Sequence, residues 1–410
     1  MTARDPIPFH RPSIGTAERD AAVEVLDSGW LTTGPRVAAF EEAFASYVGA
    51  RHAVAVASAT GALRLAFEGL GVTEGDEVIV PTMTFAASAE TVLYRGARPE
   101  LVDIDAGTLN IDPAAVAAAI GTATRAVEVV HIAGLPVDMP AVLEASGALP
   151  VVEDAAHAFP SPIDALGGRF AGTVGRAGAF SFYATKTITT GEGGMLVTDD
   201  DALAARARSM RLHGIGRDAW KRYTAAGSWY YEIEAAGFKE NLTDVAAAIG
   251  LVQLGRAREL RDARAAIAAH YLAGFADLAA EGRLVLPATG AGDEHAWHLF
   301  IMRLGEEAAG LDRPDDALPG VSILPPALRG VASARARAID ALREAEIGAS
   351  VHFIPLHLHP LYRSMGYRSG QFPVAEAAYA GAISLPIWPG MTADMVDRVI
   401  DAVRRITAGA

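Results

Sequence analysis

The chain has 410 residues, of which 51% are hydrophobic and 20% charged, with a formal net charge of −14 and no cysteine. That length exceeds one ordinary core and predicts two domains, and the apolar fraction excludes a disordered chain. The acidic balance argues against a nucleic-acid partner, and the lack of cysteine rules out disulfides, thiolate metal sites and thiol nucleophiles.

Taken in chain order, residues 17–28 read as an amphipathic helix closed by Ser28-Gly29. The first ten residues before it hold no signal-peptide apolar core, and no apolar run reaches ~18 residues, so a cytoplasmic protein with no membrane span is expected. Trp30 to Pro35 is a predicted loop, followed by a helix to about Tyr47. Short apolar runs then alternate with helical patterns. The runs are His52–Ala57, Glu77–Val80, Arg98–Val102, Ala126–Ile132, Leu149–Asp154, Ala177–Phe182 and Met195–Val197; the helices include Gly61–Leu70, Ala86–Tyr94 and Pro113–Ile120. Alternation of this kind predicts an α/β domain with a mostly parallel sheet and ligands beyond the carboxyl ends of its strands. From Thr243, a plausible N-cap, a long helix is expected through Tyr271, and the domain boundary is placed at 260/261. The remainder mixes strands (Trp297–Leu304, Ala349–Val351) with helices (Ser333–Glu346, Ala375–Ala382, Ala393–Ile406) and suits a smaller α+β domain. Gly305 to Gly330 is expected to be a surface loop region.

Two predicted strand ends carry the chemistry. Leu149-Pro-Val-Val-Glu153-Asp154-Ala-Ala-His157 places a carboxylate at one, and Gly178-Ala-Phe-Ser-Phe-Tyr-Ala-Thr-Lys186 places a single lysine beyond another. Together they suggest a pyridoxal phosphate (PLP) site, in which Lys186 forms the Schiff base and Asp154 keeps the pyridine nitrogen protonated. A lysine at a strand end is more often a solvated charge. Here its neighbours are small or hydroxylic (Ser181, Thr185, Thr187, Thr189, Thr190), and Gly191, Gly193 and Gly194 allow close backbone approach. The bland reading of Asp154 is a capping or metal-binding acid. Alternation along the strand sends Glu153 and Asp154 to opposite faces. His157 is either structural or a partner for a ring oxygen. Ser58-Ala59-Thr60-Gly61 opens a helix after a strand, as phosphate-binding turns do and as many plain caps also do. Phe85 could stack on a flat ring or simply pack in the core. His352, His357 and His359 match neither a zinc helix nor a zinc knuckle, so no metal is expected there and they are read as lining a polar pocket.

In their order and spacing these motifs resemble the DegT/StrS-type (DegT/DnrJ) PLP-dependent nucleotide-sugar aminotransferases. The resemblance runs from Ser28-Gly-Trp-Leu-Thr-Thr-Gly34 through Gly75-Asp-Glu-Val-Ile-Val-Pro81, Glu153-Asp-Ala-Ala-His157, Phe180 to Lys186, Gly191-Glu-Gly-Gly194, His213-Gly214 and Ala247-Ala-Ile-Gly250 to Leu385-Pro-Ile-Trp-Pro-Gly-Met391. It implies PLP fold type I, with Lys186 as Schiff-base lysine, Asp154 as nitrogen partner and Phe85 stacked on the ring. Ala59, Thr60 and Ser181 would hold the phosphate, and His157 would sit near the ring oxygen. Gly237 to Leu242, with Lys239 and Asn241, would reach the neighbouring subunit's cofactor, making a homodimer with a shared active site. Trp30, Thr33, Gly34, His352 and His357 would shape the sugar pocket, and Arg217, Lys221 and Arg222 would meet phosphates or a carboxylate unless they are solvated surface charges.

Two departures stand out. The phosphate loop commonly has glycine at position 59 and alanine at 61; here they are exchanged, which would strain Ala59 if that position needs a positive φ. Glu240 replaces an aromatic residue and would repel a cofactor phosphate unless Lys239 or Arg217 pairs with it.

The implied activity is transfer of an amino group from L-glutamate to a nucleotide-linked ketosugar. The length and composition of Trp220 to Gly237 resemble the branch that acts on NDP-4-keto-6-deoxyhexoses. A PLP-dependent deoxysugar dehydratase would have histidine in place of Lys186, and a non-catalytic PLP sensor would want a partner-binding appendage.

Overall fold

The computed structural model describes residues 5–215, 230–290, 295–305 and 314–408. Its centre is a seven-stranded sheet built from β1 (His52–Val56), β2 (Glu77–Pro81), β3 (Arg98–Val102), β4 (Thr124–Val130), β5 (Val151–Asp154), β8 (Ala177–Ser181) and β9 (Gly194–Thr198). The small hairpin β6 (Pro162–Ile163) and β7 (Arg169–Phe170) lies apart from it. The strand order is β1-β9-β8-β5-β4-β2-β3, and only β9 is antiparallel to its neighbours. The expected mostly parallel α/β sheet is therefore present.

Both faces of the sheet are covered, so the strands are apolar on both sides. In β1, Val54 and Val56 join the core beneath the helices α3 (Ala59–Gly69) and α4 (Ala86–Leu93). Ala53 and Ala55 face the opposite core, where α1 (Thr16–Ser28) is followed by α2 (Pro35–Val48), which contributes Phe40 and Phe44. Phe44 packs edge-on to Phe180 at 5.1 Å and Phe182 at 5.5 Å. These rings anchor the end of β8, the strand that leads into the lysine loop.

A second sheet, β10 (Leu284–Val285), β11 (Phe300–Leu304) and β12 (Ala382–Leu385), is antiparallel. Its core draws on the helices Ala257–Gly274, Arg329–Glu344 and Ala393–Ala408 through Tyr271, Leu342 and Val399. Ile7 joins this core and bridges to Ile347, so the N-terminal segment sides with the second sheet.

Thr243 caps its helix, accepting from the Ala246 N–H at 3.2 Å. The single long helix expected from there is two, Asp244–Gly255 and Ala257–Gly274, broken at Arg256. Arg256 leaves helical geometry where its guanidinium turns to Glu18 and Glu259. The boundary expected at 260/261 falls inside the second of these helices. Ala349–Val351 is no strand; Ser350 alone bridges to Ser384. Part of the expected loop from Gly305 to Gly330 lies outside the described residues, and it ends in a short 3-10 turn that runs into the helix Arg329–Glu344. Among the described residues no helix is long and apolar enough to cross a membrane.

Candidate active site

A cavity of about 380 Å³ opens beyond the carboxyl ends of β5 and β8. It is lined by Lys186, Asp154, His157, Ser181, Phe85, Ala59 and Thr60, and by His352. Eight of the residues expected at a site from sequence are thus brought together.

The two acids at the end of β5 part as alternation requires. Glu153 turns away from the cavity and accepts the N–H groups of Gly172, Val174 and Gly175 at 2.8, 2.6 and 2.5 Å, together with His131 Nε2 at 3.0 Å. Because His131 Nδ1 accepts the Val137 N–H, its proton sits on Nε2. Burial pushes the Glu153 carboxyl up, and these bonds outweigh it and hold it below its ordinary value. Asp154 faces the cavity, accepting from the Ala156 N–H at 3.0 Å and from the Ser88 hydroxyl at 3.0 Å. Burial raises its carboxyl, partly offset by those donors and by the positive charge of Lys186.

Lys186 sits in a turn closed by its own N–H on Tyr183 O at 2.9 Å. Burial lowers its ammonium to about 8, against the pull of Asp154 and with a further push from Arg264. An amine held there is partly neutral near neutral pH and can act as a nucleophile and a base. Its Nζ lies 3.3 Å from His298 Nε2. Burial and nearby positive charge hold His298 and His157 well below the ordinary imidazole value, and burial brings His352 and His10 to about 4. The lysine is therefore ringed by neutral imidazoles. His157 Nδ1, His298 Nδ1 and His10 Nε2 are buried without a hydrogen-bond partner among the described residues.

Sequence reasoning missed His298, His10, Ser88 and Arg264. His298, His10 and Arg264 reach the site from distant segments, and Ser88 follows Phe85 by one helical turn and carries no signal of its own. Arg264 is fully buried in the helix Ala257–Gly274 and donates to Thr185 O at 3.2 Å, His298 O at 3.3 Å and Ile387 O at 2.6 Å. It ties the lysine loop to the second half of the chain. The loop hydroxyls do less for a ligand than expected. Thr189 donates to Phe182 O at 3.0 Å and Thr190 to Glu192 O at 2.6 Å, so both fold the loop on itself.

Five expected ligands form a separate cluster that does not line this cavity. Thr33 donates to Leu242 O at 2.6 Å, Asn241 donates to Thr33 at 2.8 Å, Lys239 donates to Asn241, and Trp30 Nε1 donates to Thr33 O at 3.2 Å. Gly34 packs so tightly there that a Cβ would meet Trp30 Nε1 at 2.2 Å. His357 is also off the cavity. It is fully buried between the Thr82 hydroxyl at 2.7 Å and Glu376 at 2.8 Å, which makes it a structural histidine and not the pocket residue expected. Arg217, Lys221 and Arg222 lie outside the described residues.

The two departures at the phosphate turn explain each other. Ala59 opens α3 without a positive φ, so alanine is unstrained there. Glu240 pairs at 3.3 Å with Arg64, one helical turn further along α3, and not with Lys239. A Cβ at position 61 would lie 2.7 Å from Glu240 Oε2. Gly61 makes room for this carboxylate. Gly194 likewise lets β9 approach the turn, where a Cβ would meet Ser58 carbonyl carbon at 2.4 Å. Gly61→Ala should therefore be less favourable in the wild-type apoprotein than in Glu240→Ala, by about 1 kcal/mol in urea denaturation, since the Glu240 carboxylate must swing aside. In a Glu240→Ala background the same change should be neutral or stabilising, because alanine is the better helix former. Equal costs in both backgrounds would contradict the pairing.

The chain is similar to known proteins along nearly its whole length. The profile of the DegT/DnrJ/EryC1/StrS aminotransferase family matches residues 12–318 and 321–404. The spore coat polysaccharide biosynthesis protein SpsC of Bacillus subtilis (strain 168) is 44% identical over 408 residues, covering 98% of each chain. Among solved structures, Spr1654 of Streptococcus pneumoniae in its PLP form superposes with a TM-score of 0.84 at 30% identity, covering 99% of each chain. PseC of Helicobacter pylori, an aminotransferase involved in the biosynthesis of pseudoaminic acid, superposes with a TM-score of 0.86 at 25% identity, covering 99% of this chain and 100% of that one. The chain belongs to the DegT/DnrJ/EryC1/StrS aminotransferase family.

Proposed function

We propose that this aminotransferase uses PLP to move an amino group from L-glutamate to a nucleotide-linked ketosugar, an NDP-4-keto-6-deoxyhexose. The observation that carries the reading is one cavity holding a buried lysine of lowered pKa and a buried aspartate beyond adjacent strands. The residues fit PLP. Among the described residues the cavity has a single primary amine, a carboxylate for the ring nitrogen, a helix N-terminus for the phosphate and an unpartnered His157 Nδ1 for a polar ring substituent. Phe85, 60% exposed at the mouth, would cover one ring face. When bound, PLP supplies the carbonyl that takes up the amine and a ring that withdraws electrons from the carbon losing its proton.

The protein's own groups do the rest. Lys186 would hold the cofactor through its amine and, when that amine is free, would serve as the base that moves the substrate's proton. His298, kept neutral, accepts a hydrogen bond from the Lys186 ammonium and aims it. Asp154, fixed by the Ala156 N–H and the Ser88 hydroxyl, would meet the ring nitrogen. Around the cavity His10, His352, Phe9 and Phe353 form an apolar wall with neutral polar tips, suited to an uncharged sugar ring. We assign Trp30, Thr33, Gly34, Lys239 and Asn241 to the partner subunit's site in a homodimer. Their clustering off their own cavity supports that assignment.

With glutamate, the PLP-loaded protein should convert to its aminated-cofactor form, and a panel of nucleotide ketosugars should identify the acceptor. Lys186→Ala should bind PLP without a covalent link and lose turnover. Asp154→Asn should keep the fold and slow the glutamate half-reaction by a factor on the order of 100 or more, because the ring loses its proton. Wild-type turnover in either variant, or no spectral response to any amino donor, would contradict the proposal.

A further inference from the structure

Glu128 is a fully buried acid that none of the chemistry above uses. It lies on β4 in register with Val152, two residues before the Val130–Asp154 pair. Paired residues on parallel strands share a face, and residues two apart share it too. Glu128 and Asp154 therefore point to the same side of the sheet, with Glu128 one step below the cavity. Neither Glu128 oxygen has a hydrogen-bond partner among the described residues. The groups that bear on it come from three elements. Asp154 is on β5, Ser88 on α4, and Tyr362 on the helix Pro360–Ser364, with a hydroxyl that is also buried and unpartnered. Glu90 of α4 and Tyr94 just after it act on that same phenol, and Lys186 and His131 act on Asp154.

The bonds of Ser88 show what is missing. A serine hydroxyl has one hydrogen and two lone pairs. Its hydrogen goes to Asp154 at 3.0 Å, and the Thr84 hydroxyl lies at 2.8 Å, filling one lone pair. The second lone pair is free. An ionised Glu128 cannot use it, because a carboxylate only accepts. A protonated Glu128 can donate to it, and its carbonyl oxygen can accept from Tyr362, which would satisfy each orphaned group directly or through one buried water.

We propose that Glu128 is a positioning residue for Asp154: it keeps its proton and donates toward Ser88, so that Ser88 gives its hydrogen to Asp154 and the acid facing the cavity alone carries the negative charge. Two carboxylates stacked on one buried face cannot both ionise cheaply, and burial together with Asp154 drives Glu128 well above its ordinary value, against a smaller lowering by the nearby Ser88 hydroxyl. The proposal rests on the PLP reading for its consequence, which is that Glu128 helps keep the cofactor's ring nitrogen protonated.

The test has two arms. In the apoprotein, infrared difference spectra of wild type against Glu128→Gln should reveal a carboxylic-acid carbonyl band at neutral pH that the variant lacks. In protein loaded with ring-15N PLP, Glu128→Leu and Ser88→Ala should each lower the midpoint of ring-nitrogen deprotonation by about one pH unit, a tenfold change. Glu128→Gln, whose amide can donate to Ser88 and accept from Tyr362, should restore most of it. Absence of the band, or wild-type ring titration in both Glu128→Leu and Ser88→Ala, overturns the proposal. If Glu128→Leu does not fold, Ser88→Ala and Glu128→Gln decide the second arm. If wild type binds no PLP, the functional reading fails while the infrared arm still decides the state of Glu128.

Discussion

Everything at this site depends on placing one amine and one carboxylate out of water in the same cavity. Burial alone would neutralise both. Each offsets the other, since Asp154 raises the lysine and Lys186 lowers the aspartate. The balance leaves Lys186 near 8, where it is part nucleophile and part acid at neutral pH. The surrounding imidazoles contribute polar atoms without charge, so they do not upset that balance.

The fold supplies the two groups from adjacent parallel strands and fixes each by a different means. Asp154 is held by a backbone N–H and a serine from the helix packed above it. The loop carrying Lys186 is braced by its own threonines, by the aromatic cluster under β8 and by Arg264. Arg264 spends its charge on three carbonyls rather than on an acid, and this buried cation near the amine helps keep Lys186 from full protonation.

The alternation of apolar runs and helical periods was enough to read the central sheet, and strand-end logic was enough to pick out Lys186 and Asp154, which line one cavity, because both depend on local pattern. What could not be read depends on contacts between distant segments. His357 looked like a pocket residue beside His352, yet the chain turns it inward onto Thr82 and Glu376. His298 carries no local signal and reaches Lys186 from 112 positions away. Glu240 looked like a misplaced charge until Gly61 and Arg64 were seen to receive it. The break at Arg256 could not be read locally, since it coincides with an ion pair to Glu18 in a remote segment.

The most direct measurement of the central claim uses the scarcity of lysine, which occurs only at positions 186, 221 and 239. Apoprotein would be incubated with PLP, reduced with borohydride, digested and mapped by mass, at pH values on either side of 8. The expected result is one pyridoxyl group on the peptide carrying Lys186, formed faster as pH rises toward 8 and levelling off above it, since the neutral amine is the reactive form. Label on Lys221 or Lys239 instead, or no label at any pH, would contradict the account.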